Sequence, residues 1–425
     1  MKQGSNQVAV ENSGSLTRRI LGFAGIPFVS LLIPFLFLPI LARVAGAEAW
    51  LAIAIGQSIG GFFALFVALG YNTVGPTEVA KLPPGQRPAL LLASLPARAI
   101  LLLPCIAVSL VLALLISPAG FRAEAGLMSI AMLLAGMSSA WFMIGDGRPI
   151  QIMLFELVPR LLATIVASGL LLFLGQVIWY PIALIVAATI GTGWYDLRVL
   201  ALRSDNRGPR LPVFATIKQN VSAMLIEVVG GAYNSLAVTF VSLTASSPQA
   251  ANYVSGDKLY RIGQYSDSAL GNALQGWAVE AGSAKFRERA KKSIFLHLVL
   301  GVLGFLGFAI LGPWLTSMLF GSKVSMDEPT SIGFGVAVLG VTIATALGRI
   351  TLVGLGKRLE YLMAVGGAAV VGVPAILVLA NLFGAAGGAW GLAASEIALV
   401  LVLIGFVARS WQKIEPTFDG VTRKN

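Results

Sequence analysis

Apolar residues run through this chain in long unbroken stretches, and short polar clusters interrupt them at regular intervals. A helix rising 1.5 Å per residue needs about 20 apolar residues to cross a bilayer. Such stretches fall near 20–41, 50–70, 90–116, 125–144, 153–174, 177–197, 219–245, 251–279, 293–311, 332–355, 361–380 and 388–408. A lipid-facing β-strand would alternate apolar and polar positions, and these stretches do not. The pattern predicts an all-α integral membrane protein with about twelve transmembrane helices.

Composition agrees. Apolar residues make up 57% of the chain, charged residues only 12%, and the mean hydropathy is +0.84, against roughly 25% charged in a soluble domain. The basic residues also sort by loop. Of the thirty Lys and Arg residues, twenty-two lie at the two ends or after the even-numbered segments. Arg43, Arg122 and Lys323 fall on the other side, and Arg98, Arg160, Lys258, Arg261 and Arg349 lie inside predicted helices. The positive-inside rule then places both termini in the cytoplasm. A missed or extra span would swap the side of every later loop, so the asymmetry supports the count. The net charge of +11 is therefore mostly topology. Spread over separate pieces without an aromatic platform, it does not point to nucleic acid as a partner.

Other chemistry is sparse. Cys105 is the single cysteine and His297 the single histidine, which excludes an intrachain disulfide, a His-based metal cluster and a His-based triad. His297 reads as a packed or membrane-facing side chain, and no cofactor is expected. The apolar stretch before Ala45-Gly46-Ala47 is too long for a signal h-region and reads as the first helix. Outer connections such as Gly175-Gln176 and Ser246-Ser247-Pro248-Gln249 leave no room for a catalytic domain. Passage through the helix bundle, not catalysis, is the expected activity.

A polar stretch containing Arg203, Asp205, Arg207 and Arg210 divides the chain into six helices and six. The expected units are a lobe over 1–202, a cytoplasmic linker over 203–216 and a second lobe over 217–425. An even number per half means that both halves enter the membrane from the same side, as parallel repeats do.

Several local sequences resemble a known family. Leu38-Pro39-Ile40-Leu41-Ala42-Arg43, with Ala68-Leu69-Gly70-Tyr71-Asn72 leading to Glu78-Val79-Ala80-Lys81, resembles the first two helices of Wzx-type polysaccharide flippases. Ser138-Ser139-Ala140-Trp141-Phe142-Met143-Ile144-Gly145 is similar to the end of their fourth helix, and Pro159-Arg160-Leu161-Leu162-Ala163-Thr164 to the start of their fifth. Gly387-Gly388-Ala389-Trp390-Gly391-Leu392-Ala393 is similar to the start of their last. One departure is Pro76-Thr77, where the family pattern has a basic residue before Glu-Val-Ala, so no role of that residue carries over. The resemblance implies the multidrug/oligosaccharidyl-lipid/polysaccharide exporter superfamily, with two six-helix lobes forming a V around a central cavity. It also implies a bacterial inner membrane, an undecaprenyl-diphosphate-linked oligosaccharide as substrate, and polysaccharide polymerase machinery as a partner.

Charges inside the membrane mark candidate functional positions. An ionisable group at mid-bilayer costs at least about 2.5–3.5 kcal/mol, so it persists where it meets water, a partner or substrate. In segment eight, Lys258, Arg261, Tyr265, Ser268, Asn272 and Gln275 recur at helical spacing and share one face. Lys258 and Arg261 could snorkel to the outer interface, but the stripe continues beyond that reach, which favours a cavity. Asp257, four residues before Arg261, can pair with it. Arg160 lies four residues after Glu156, so an intrahelical pair competes with a cavity role. Arg98 and Arg349 lie near cytoplasmic ends; snorkelling suits Arg98, whereas Arg349 has small neighbours and could reach inward. Glu227 and Glu396 approach the midplane, with Asp267 a weaker case. Such acids either pack as hydrogen-bonded neutral groups or couple transport to H⁺ or Na⁺. Pro27, Pro34, Pro39, Pro96 and Pro104 break helical bonds that neighbouring helices or cavity water must replace.

A diphosphate explains cavity cations, because Lys and Arg neutralise phosphate oxygens and Arg does so bidentately. Lys258 and Arg261, with Arg160, Arg349 and Arg98 as further candidates, are therefore expected to hold the substrate head group. Glu227, Glu396 or Asp267 would couple the ion gradient, and Tyr265 and Asn272 would add polar contacts. Two alternatives remain. One is a multidrug exporter of the same superfamily, which would favour acids in its cavity; the other is a membrane enzyme of polysaccharide assembly.

Overall fold

The structure, a computed structural model, describes residues 37–201, 212–280 and 282–411. Most of the first predicted span, with Pro27 and Pro34, lies outside these residues, as does most of the predicted linker over 203–216. Helix α1 (37–44) is the end of that first span and carries Pro39. It leads into α2 (Gly46–Ala68) and, after a break at Leu69 and Gly70, into α3 (Tyr71–Lys81). Next come α4 (Arg87–Ile116), α5 (Arg122–Leu133), the short α6 (Ala140–Gly145), α7 (Ile150–Leu174) and α8 (Trp179–Ala201). The second half contains α9 (Val213–Thr244), α10 (Ser247–Glu280), α11 (Gly282–Phe320) and α12 (Glu328–Leu352). The last helical stretch, Arg358–Trp411, bends at Gly384 into α13 (358–383) and α14 (385–411).

Nine stretches of the described residues are long and apolar enough to cross a membrane. Arg358–Trp411 counts once among them although it turns back at Gly384, α10 is excluded by its polar stripe, and the first span is represented by its end. The all-helical architecture therefore matches the twelve apolar stretches read from the sequence. Large apolar side chains such as Leu103, Leu115, Phe173, Ile310 and Val370 remain well exposed around the bundle, a surface suited to lipid and not to water. This is a multi-pass membrane protein.

Local chemistry sets the breaks. Asp327 caps α12 by accepting from the Thr330 N–H at 3.1 Å, with Pro329 in the first turn. Leu69 and Gly70 both have positive φ, at 51° and 74°, and Gly70 also faces the backbone of Ala223 and Met224 on α9. A side chain at Gly70 would push the halves apart. The fourth span narrows to a 3₁₀ turn at Leu134–Met137 before α6. Two π-helical turns occur, at Met153–Leu157 in α7 and Thr345–Leu352 in α12, and such turns often redirect side chains at functional positions.

Packing relies on small residues, as expected where lipid supplies no hydrophobic drive between helices. Gly56 and Gly60 of α2 meet the Ala125 and Ser129 carbonyls of α5 so closely that a methyl group has no room. Gly60→Ala is expected to destabilise the protein by about 1–3 kcal/mol, measured as thermal unfolding in detergent. Gly169→Ala, in α7 where nothing lies within 4 Å of an added Cβ, serves as the comparison and should be neutral or slightly stabilising.

The halves meet along α2 and α9. Ser58 Oγ lies 2.6 Å from the Ser235 carbonyl and 2.7 Å from Thr239 Oγ1. At the end bearing the short loops, Arg43 donates to the Met318 carbonyl, Trp50 Nε1 donates to Ser255 Oγ at 3.2 Å, and the Trp50 and Phe320 rings are 5.0 Å apart.

Candidate functional site

A cavity of about 360 Å³ lies between the halves, roughly midway along α2, α7 and α10. Its first-half wall comes from α2 (Gln57, Ser58), α7 (Arg160, Thr164) and α8 (Tyr180); its second-half wall comes mainly from α10. Tyr180 is held by stacking on Phe37 with ring centroids 3.7 Å apart. Helical spacing puts Asp257, Lys258, Arg261 and Tyr265 on the lining, as the stripe in segment eight suggests.

Charge in this cavity is lopsided. Among the described residues, Asp257 is the only carboxylate on the lining; its side chain is nearly inaccessible, and its Oδ2 accepts from Arg261 Nε at 2.9 Å and lies 4.0 Å from Lys258 Nζ. Arg261 also donates to the Asn234 carbonyl at 3.3 Å, and Lys258 donates to Gln57 Oε1 at 2.7 Å across the interface between halves. Arg160 is half-buried and, among the described residues, has neither an ion pair nor a hydrogen bond from its side chain. Glu156, its predicted partner, instead accepts from Ser138 Oγ at 2.5 Å, and it sits within the π-helical turn. Among the described residues, three cations therefore face one carboxylate across a space shared by both halves. Such a lining suits an anion with several oxygens.

Other predicted site residues lie elsewhere. Arg349 is not on this lining; from the π-helical turn of α12 it donates to Gln275 Oε1 at 3.2 Å and to Asn272 Oδ1, further along the α10 stripe. Its expected cavity position, and that of Asn272, is corrected to a bridge between α10 and α12. Arg98 neither snorkels nor lines the cavity. It is fully buried, donates to the Ser138 carbonyl at 2.9 Å, and lies beside the stacked Tyr71 and Trp141 rings, 5.9 and 5.8 Å from their centroids. There it satisfies carbonyls freed where the fourth span breaks, a need that composition does not reveal.

The three candidate coupling acids occupy different places. Glu227 is half-buried and accepts from the Thr73 N–H at 2.8 Å, tying α9 to α3. Glu396 is buried in the second half, accepting from Tyr233 at 3.1 Å through one oxygen while the other has no hydrogen-bond partner among the described residues. Asp267 accepts from Thr345 Oγ1 at 2.6 Å through Oδ2. Its Oδ1 faces His297 Nε2 at 3.7 Å, and neither atom has a hydrogen bond among the described residues. His297 Nδ1 lies 2.8 Å from the Ser293 carbonyl, which can only accept, so the Nδ1 proton is fixed and Nε2 points at the carboxyl. A lone histidine gave no sequence signal of this meeting, because residues 267 and 297 come together only through packing of α10 on α11.

Gln57 and Ser58 were missed by sequence reasoning, although two adjacent polar residues inside an apolar segment were a visible signal. Among the described residues, no three His, Cys, Asp or Glu side chains are grouped to hold a metal ion.

No protein-family model and no curated protein matches the chain. Solved structures do. An inward-facing multidrug resistance MATE family transporter of the MOP superfamily is similar with a TM-score of 0.71 at 14% identity, over 94% of this chain and 99% of that one. The lipid II flippase MurJ, in an inward closed conformation, gives 0.67 at 11% identity over 94% and 89%. A MOP superfamily transporter from Pyrococcus furiosus, described as having a binding pocket of reverse polarity, gives 0.61 at 14% over 94% and 96%. The chain has the fold of these transporters.

Proposed function

We propose that this protein is a flippase that moves a lipid-diphosphate-linked oligosaccharide, of the undecaprenyl type, from the cytoplasmic to the outer leaflet of a bacterial inner membrane. The observation that carries the reading is the cavity between halves, where Lys258, Arg261 and Arg160 face Asp257, the one carboxylate that the described residues place on its lining. A diphosphate neutralises the surplus cations, while the lipid tail remains in the bilayer. A cationic drug would meet the same surplus as repulsion, which disfavours the exporter alternative. The fold supports transport, and MurJ, one of the structural relatives, acts on lipid II.

Alternating access then follows from the contacts. The joined Arg43, Trp50, Ser255, Met318 and Phe320 close the short-loop end, which the loop charges assign to the exterior. In this reading the substrate enters from the cytoplasmic leaflet, and those contacts open when the halves rock. Asp267 facing His297 is the coupling pair, since a proton or small cation between them satisfies two otherwise unpartnered atoms.

Cells lacking this chain should accumulate lipid-linked oligosaccharide on the cytoplasmic leaflet, detected by leaflet-selective labelling of the glycan. Unchanged leaflet distribution in such cells would remove the reading.

A further inference from the structure

A second pocket, of about 220 Å³, lies far along α10 and α11 from the cavity, lined by Trp277, Lys285, Glu288, Arg289 and Lys292. We infer that it holds the phosphate head group of an anionic membrane phospholipid, whose acyl chains lie along the exposed face of α11. This site is separate from the transport cavity, and its occupancy does not depend on the cargo proposed above.

Three observations converge. Among the described residues, the pocket sets Lys285, Arg289 and Lys292 against one carboxylate, Glu288, a surplus that a phosphodiester relieves. It is also rigid on its inner side. Arg289 donates to the Trp277 carbonyl and lies 4.6 Å from the Trp277 ring centroid, and Lys292 Nζ lies 5.8 Å from the same ring. Beneath, Leu274, Ala278, Phe286 and Ala290 are buried together and fix the two helices against each other.

The third observation is the continuation of the pocket into an apolar surface. From Lys285, steps of three and four residues lead through Glu288 and Lys292 to Phe295, Val299 and Val302 on one face of α11. Phe295 is 62% exposed, and Val299 and Val302 are each 40% exposed. A basic pocket ending where a lipid-facing stripe begins matches an amphiphile with an anionic head, and basic pockets between helices on the cytoplasmic side are suited to such head groups. Free phosphate has no use for the stripe. The location agrees, because the loop charges place this end of α10 and α11 in the cytoplasm, where anionic lipids concentrate.

The test uses the full chain purified in a zwitterionic detergent and examined by native mass spectrometry. The probes are phosphatidylglycerol and phosphatidylcholine with the same acyl chains, and inorganic phosphate alone. The wild type should retain phosphatidylglycerol in preference to phosphatidylcholine and should not retain phosphate. Lys285→Gln/Lys292→Gln, which leaves the Arg289 contact with Trp277 intact, should bind phosphatidylglycerol about 30-fold more weakly. Lys285→Arg/Lys292→Arg should keep it. Equal retention of both lipids by the wild type overturns the inference. So does undiminished phosphatidylglycerol binding by the glutamine variant, or phosphate binding as tight as the lipid.

Discussion

Glutamine at Arg261 alone is expected to lower the yield of folded protein, whereas Asp257→Asn/Arg261→Gln should fold normally and transport more slowly than the wild type. The difference follows from what each change leaves behind. Removing only the guanidinium strands Asp257, whose side chain is 2% exposed and accepts from Arg261 at 2.9 Å. Breaking a buried pair on one side costs about 3–5 kcal/mol, and the lower end applies because Lys258 lies 4.0 Å from the same carboxylate. Removing both partners as near-isosteres avoids that stranded charge. Adding Lys258→Gln to the double variant takes a second cation from the cavity. Each charge-assisted hydrogen bond to a phosphate is worth about 1.5–3 kcal/mol, so loss of two should slow transport of an anionic substrate by roughly 100-fold or more. Folding is followed by thermal unfolding and transport in reconstituted vesicles.

Asp267→Asn is expected to separate transport from its driving gradient while leaving the bundle folded. The substitution keeps the shape and an acceptor for Thr345, but removes a carboxyl that can take up a proton or cation opposite His297. Coupling energies between sites are commonly 1–3 kcal/mol. The stimulation of transport by an imposed H⁺ or Na⁺ gradient should accordingly fall by about 5- to 150-fold, with exchange at zero gradient retained. His297→Gln should act in the same direction, because Nε2 is the other unpartnered atom of the pair. Full gradient stimulation in Asp267→Asn would move the coupling role elsewhere, with Glu396 the next candidate.

Much of the bundle was legible because membrane helices announce themselves by length and continuity. Stretches such as 90–116 and 332–355 fall on α4 and α12 with shifts of only a few residues at their ends. The α10 stripe was legible for the same reason: polar residues at helical spacing in a span have few places to go, and Lys258, Arg261 and Tyr265 do line the cavity. What the sequence hides is the partner across the interface. Arg98 reads as a snorkelling residue until the broken fourth span brings the Ser138 carbonyl to it. Arg160 and Glu156 are spaced as an ion pair, yet a π-helical turn and Ser138 engage the carboxylate instead. Asp267 and His297 are thirty residues apart and meet only because α10 packs on α11.

The most direct measurement is the rate at which a fluorescent lipid-diphosphate-linked oligosaccharide crosses vesicles containing the wild type or Asp257→Asn/Lys258→Gln/Arg261→Gln. With thermal stability matched, the wild type should move the lipid across the bilayer and the variant should match protein-free vesicles. Undiminished crossing by the variant would contradict the claim that these cavity cations carry the substrate.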